Sequence, residues 1–65
     1  MKLIMKTEFD NLRLNPNHLY ETDTNSDKQV VKIYSNSLLI AKKIKLKKSI
    51  RYFGIKEYQD YLLVD

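Results

Sequence analysis

Cysteine and tryptophan are absent from this 65-residue chain, and glycine and proline occur once each, as Gly54 and Pro16. Without cysteine, no disulfide and no thiolate metal site supports a chain near the lower size limit for unaided folding. The same absence suits a reducing compartment, and a cytoplasmic protein is expected. A single glycine excludes a glycine-rich phosphate loop. A single histidine, His18, excludes a structural zinc site within one chain and reads as a solvated turn residue. It is also the one imidazole base available to Ser26, Ser35, Ser37 and Ser49, and nothing in the spacing brings it to them. Glu57 and Asp60 lie three apart, a spacing common on solvated faces. No apolar run approaches the length that spans a bilayer, and Met1–Lys6 lacks the sustained apolar core of a signal peptide. These absences predict one small domain over residues 1–65, with no catalytic constellation, no cofactor, no metal and no membrane.

What is present is charge, unevenly placed. The formal net charge is +4. From Lys28 to Lys56 there are nine basic residues and no acid, whereas the rest of the chain has three basic residues against eight acidic ones. Such asymmetry is an argument about partners and association, not about fold. Arg13 and Arg51 are the two arginines among twelve basic residues. Arginine reads guanine with a planar fork, so a lysine-heavy patch predicts backbone contact with little sequence discrimination.

The densest part of that stretch is Leu38-Leu39-Ile40-Ala41-Lys42-Lys43-Ile44-Lys45-Leu46-Lys47-Lys48. Read with period two, Ile44 and Leu46 fall on one side and Lys43, Lys45 and Lys47 on the other, which predicts a strand with Ile44 inward. Read at 100° per residue, the apolar positions form no single stripe. Local propensity favours the alternative, a basic helix over 38–47. Around it, Lys2–Phe9 alternates weakly and reads as a first strand, and Leu12–Leu14 as a short extended piece. Asn15-Pro16-Asn17-His18 reads as a turn, followed by a return at Leu19-Tyr20. Glu21–Asp27 has no apolar residue and reads as a solvated loop. Gln29–Tyr34 is rich in β-branched and aromatic residues and predicts a strand joined by a short Ser35–Ser37 connection to the next. Ile50–Phe53 continues the pattern, Gly54 breaks it, Ile55–Tyr58 suits a 3₁₀ turn, and Tyr58–Val64 reads as a closing strand or a short helical face.

The predicted fold is therefore all-β, or β-rich α+β: a five-stranded antiparallel meander. Closure into a small barrel would remove its exposed edges. The strand order is similar to that of SH3-like barrels, and Phe53-Gly54-Ile55-Lys56-Glu57-Tyr58-Gln59-Asp60-Tyr61-Leu62 resembles the Gly–turn–Tyr ending of that fold without its usual proline. The resemblance implies a topology and no binding residues.

Lys42, Lys43, Lys45, Lys47, Lys48, Arg51 and Tyr52 are the candidate binding residues. Along one strand face, lysines two apart stand about 6.6 Å apart, a spacing that suits a phosphate backbone. The aromatic residues must mostly supply core volume in a chain without tryptophan, with one or two free to stack on bases. Two functions fit these residues. One is a non-enzymatic module that binds nucleic acid, DNA or RNA, through its backbone. The other is a small accessory or inhibitor protein, of phage type, that docks on an acidic surface of a larger protein.

Overall fold

The computed structural model describes residues 1–63, and in it five strands form one antiparallel sheet covered on one face by a single helix. The elements run β1 (Lys2–Leu3), α1 (Lys6–Leu14), β2 (Leu19–Thr24), β3 (Lys28–Ser35), β4 (Leu38–Leu46), β5 (Ile50–Gly54) and a 3₁₀ turn (Tyr58–Tyr61). The spatial order is β1-β5-β4-β3-β2. β2 to β5 form a meander, and β1 returns to the far side of β5.

The central hairpin agrees with the alternation of its sequence. Leu38–Leu46 is a strand, not the alternative basic helix, and pairs with β3 from Ser35↔Leu38 to Lys28↔Leu46. Its turn is two residues long, with Asn36 at φ 50° and Ser37 at φ 69°. Positive φ at both central positions matches the twist of the flanking strands. The register slips between Ile33 and Tyr34, so that Ile40 is an extra residue on β4. A bulge of this kind re-aims side chains, and here the consecutive residues Ile40 and Ala41 are both fully buried.

Three expectations are corrected. First, Lys6–Leu14 is a helix, where a first strand from Lys2 to Phe9 and a short extended piece over Leu12–Leu14 were expected. Phe9 and Leu12, three apart on one helical face, are the helix's buried residues, and burying that pair outweighs the weak alternation before it. Glu8 reaches back to accept a hydrogen bond from the Met5 backbone N–H (2.9 Å) and so satisfies one free helix-start donor. Lys6 pairs with Asp10 one turn on, at 2.7 Å. The helix stops before Pro16, whose ring disfavours helical geometry at Asn15 (φ −67°, ψ 119°). Second, the polar stretch after Tyr20 is not all loop: β2 runs to Thr24, fully exposed and paired to β3 alone. Edge strands tolerate such composition because neither face has to be buried. Third, Tyr58–Tyr61 is a 3₁₀ turn, in keeping with the alternative of a short helical face and not with a closing strand; Val64, the end of the expected strand, lies outside the described residues.

The sheet is consequently not closed into a barrel. β1 and β2 are its two edges and do not pair with each other. The segment that would have closed it turns under the helix instead. The core lies on one face only: Phe9 and Leu12 from α1, Val31 and Ile33 from β3, Ile40 and Ala41 from β4, and Tyr58. His18 is also buried, contrary to the solvated-turn reading, and its Nδ1 lies 2.8 Å from the Leu12 carbonyl at the helix end. Nδ1–H donates there to one of the carbonyls that a helix C-terminus leaves free.

Candidate functional site

Pairing register assigns each strand residue to a face. Val31, Ile33, Ala41, Lys43 and Tyr52 lie on the helix side, because Val31 faces Lys43, Lys43 faces Tyr52, and Ile33 faces Ala41. The Tyr52 ring packs against Phe9 with centroids 5.3 Å apart. The residues between them lie on the opposite, uncovered face. There Lys32 faces Lys42, Lys42 faces Phe53, and Phe53 faces Leu3. In the next row Val30 faces Ile44, which faces Arg51.

The seven sequence-derived candidates therefore divide. Lys42 and Arg51 share the open face. Lys43 and Lys45 lie on the helix side, with Lys45 exposed and Lys43 half-buried. Lys47 and Lys48 are exposed in the turn after β4, where the Leu46 N–H donates to the Ser49 carbonyl at 2.8 Å. The expected row of Lys43, Lys45 and Lys47 is thus two strand residues and a turn residue. Tyr52 packs against Phe9, away from Lys42 and Arg51. Ile44, expected inward, sits half-buried on the open face and is not part of the core. The alternation was read in the correct period and the opposite sense. The bulge at Ile40 underlies this: with Ile40 and Ala41 both buried, the odd–even alternation that would have carried Ile44 inward and Lys43 outward is reversed from Ala41 on.

Sequence reasoning missed Lys32 and Phe53. The Lys42 ammonium lies 5.8 Å from the Phe53 ring centroid, within cation–π range. Lys32 and Lys42 are like charges directly opposite on one face, an arrangement that costs stability. Glu21 is in register with Lys32 on β2, yet its carboxylate accepts the Tyr34 hydroxyl at 3.0 Å. That hydrogen bond raises the Tyr34 pKa above its ordinary value.

Electrostatically, the decisive fact is pairing. Among the described residues the one ion pair is Lys6–Asp10. None of the nine cations from Lys28 to Lys56 has a described carboxylate within 4.0 Å. Eight of them follow the sheet toward one end: Lys43 and Lys45 on the helix side, Lys32, Lys42 and Arg51 on the open face, and Lys28, Lys47 and Lys48 at the tip; Lys56 lies apart, next to Ile55, whose N–H donates to the Ile40 carbonyl. Among the described residues there is no group of three or more His, Cys, Asp or Glu side chains that could hold a metal ion. No described helix is long and apolar enough to cross a membrane.

No protein-family model, no curated protein and no solved structure matches this chain.

Proposed function

We propose that this protein is a non-enzymatic module that binds nucleic acid through the phosphate backbone, with low sequence specificity. The observation that carries the reading is the set of nine cations without a carboxylate partner among the described residues, Lys32 and Lys42 of them directly opposed on the open face. Like-charge neighbours without counter-charges destabilise a fold. A polyanion that seats on them removes that cost and releases its own condensed counterions. Lys42, Lys47, Lys48 and Arg51 form the contact set, with Lys43 and Lys45 reaching the same ligand from the other side of the tip. A cytoplasmic setting accords with the lack of cysteine.

Fluorescence anisotropy with a labelled 20-mer, duplex or single strand, tests this. Four neutralised phosphates give a slope of log K against log salt of about −3 to −4, at about −0.9 each on duplex and −0.7 on single strands. The Lys47→Glu/Lys48→Glu/Arg51→Glu variant changes exposed side chains only, so it is expected to melt like the parent and to lose affinity for every sequence equally. Absence of binding at low salt to DNA and RNA alike refutes the reading.

A second reading, an accessory or inhibitor protein docked on an acidic protein surface, draws on a different feature. β2 is an exposed edge strand of six residues, open to pairing by an added strand. A stoichiometric partner that survives nuclease treatment in a pull-down favours this second reading, and loss of every partner on nuclease treatment favours the first.

A further inference from the structure

The open face is more than a field of lysines. Its rows join cations to apolar groups: Lys32 and Lys42 beside Phe53 and Leu3 in one, Val30 and Ile44 beside Arg51 in the next. Phe53, Ile44 and Val30 are half-buried and Leu3 is 64% exposed, and α1 covers the other face. Duplex nucleic acid offers a flat protein face phosphates and sugars and rewards none of those apolar groups. A single strand offers phosphates and unstacked bases in alternation, and a base can stack on any aromatic face.

We infer that the open face takes single-stranded nucleic acid in preference to duplex, with Phe53 as the stacking platform and Lys32, Lys42 and Arg51 on the phosphates. This rests on the nucleic-acid reading above and narrows its ligand. The path runs along β4 and β5, from the Lys47-Lys48 tip toward Leu3. It does not continue onto β2, because Glu21 and Asp23 border the same face there: they stand in register with Lys32 and Val30. The Lys42 ammonium over the Phe53 ring is placed to move outward and leave that ring to a base, keeping its charge for the adjacent phosphate.

The experiment compares labelled oligo(dT) and oligo(U) 12-mers with a 12-base-pair duplex at one salt concentration, using the whole chain. Single strands are expected to bind about tenfold more tightly, in line with one to two stacked bases. Phe53→Leu keeps an apolar side chain and removes the stacking face; it is expected to weaken single-strand binding about five- to tenfold and to leave duplex binding unchanged. Amide chemical-shift changes on the unaltered protein supply a measure that needs no variant, and are expected at Lys42, Ile44, Arg51 and Phe53 ahead of Phe9 and Leu12. Equal affinity for duplex and single strand, with Phe53→Leu silent, overturns this inference and leaves the backbone-binding reading standing. No binding of either ligand overturns both, and the open face then stands as a surface for an acidic protein segment.

Discussion

Two single residues hold the backbone where ordinary side chains fit poorly, and each gives a direct test. Ser37 occupies the second central position of the β3–β4 turn at φ 69°. Left-handed geometry costs a non-glycine residue about 1–2 kcal/mol, and Asn-Gly is the pair that this turn type favours. Ser37→Gly removes that strain against a smaller loss of unfolded-chain restriction. A net gain of about 0.5 kcal/mol is expected, read as a rise of roughly 2–4 °C in the melting midpoint. Gly54 is held by space rather than by φ. A Cβ there would stand 3.0 Å from Tyr58 Cβ and 3.1 Å from Ile4 Cγ2. Tyr58 is buried against Gly54, which is in register with the fully buried Ala41 on the adjacent strand. Gly54→Ala must push the 3₁₀ turn or β1 away, at a cost of about 1–3 kcal/mol, seen as a lower urea midpoint at unchanged slope. A midpoint at or above the parent's would mean that the turn yields freely.

At the scale of elements, α1 fastens the end of the chain. Glu8 accepts the Tyr58 hydroxyl at 2.6 Å, and one turn along, the Asn11 side chain accepts the Leu63 N–H at 2.7 Å and donates to the Leu63 carbonyl at 3.4 Å. The Tyr58 hydroxyl and the Met5 N–H hold the Glu8 carboxyl below its ordinary 4.5, and the same Glu8 bond raises the Tyr58 hydroxyl above its ordinary 10.0. A depressed acid stabilises the fold above its unfolded value and loses that contribution as pH falls through the folded one. A raised phenol stabilises below its unfolded value and loses it as pH rises through the folded one. The clasp therefore acts in full between about pH 4.5 and 10. Tyr58→Phe is expected to lower the melting midpoint inside that window and to converge on the parent outside it; an equal deficit at every pH would assign the effect to packing alone.

The elements also show what the sequence could carry. β3, β4 and β5 were legible because β-branched and aromatic residues in period two describe strands whatever surrounds them, as Val30–Tyr34 does. The turn at Asn15–His18 was legible from Pro16. The helix was not, since its signal is one pair, Phe9 and Leu12, inside a stretch whose other residues serve capping and surface roles. β2 was not, because an exposed edge demands no apolar residue and Glu21-Thr22-Asp23-Thr24 offers none. For the candidate site, the charge was legible and its sidedness was not: one bulge at Ile40 decides that Lys42 and Arg51 share a face with Phe53 while Lys43 and Tyr52 look toward the helix.

For the whole molecule, core and cationic end are separated along a shape of 36 × 20 × 19 Å. The four largest fully buried side chains, Phe9, Leu12, Ile33 and Ile40, come from α1 and from the half of the sheet nearest the β3–β4 turn. Beyond Val31, toward the turns at Asn25–Lys28 and Lys47–Ser49, every described strand residue is half-buried or exposed. Strands without buried apolar groups open at lower free energy than the core they extend from. Native-state hydrogen exchange is expected to find the amides of Ile33 and Ala41 opening only with global unfolding, and those of Ile44, Lys45 and Arg51 exchanging faster through local opening. A ligand that binds only the closed form suppresses that opening by about 2.7 kcal/mol, roughly a hundredfold in rate, at one hundred times its Kd. Saturating oligo(dT) is therefore expected to slow exchange at Ile44 and Arg51 by a large factor. Slowing confined to Phe9 and Leu12 would move the ligand to the helix side. Uniform protection across the free protein would show instead that the cationic end folds as one unit with the core, and that no slack at that end is taken up on binding.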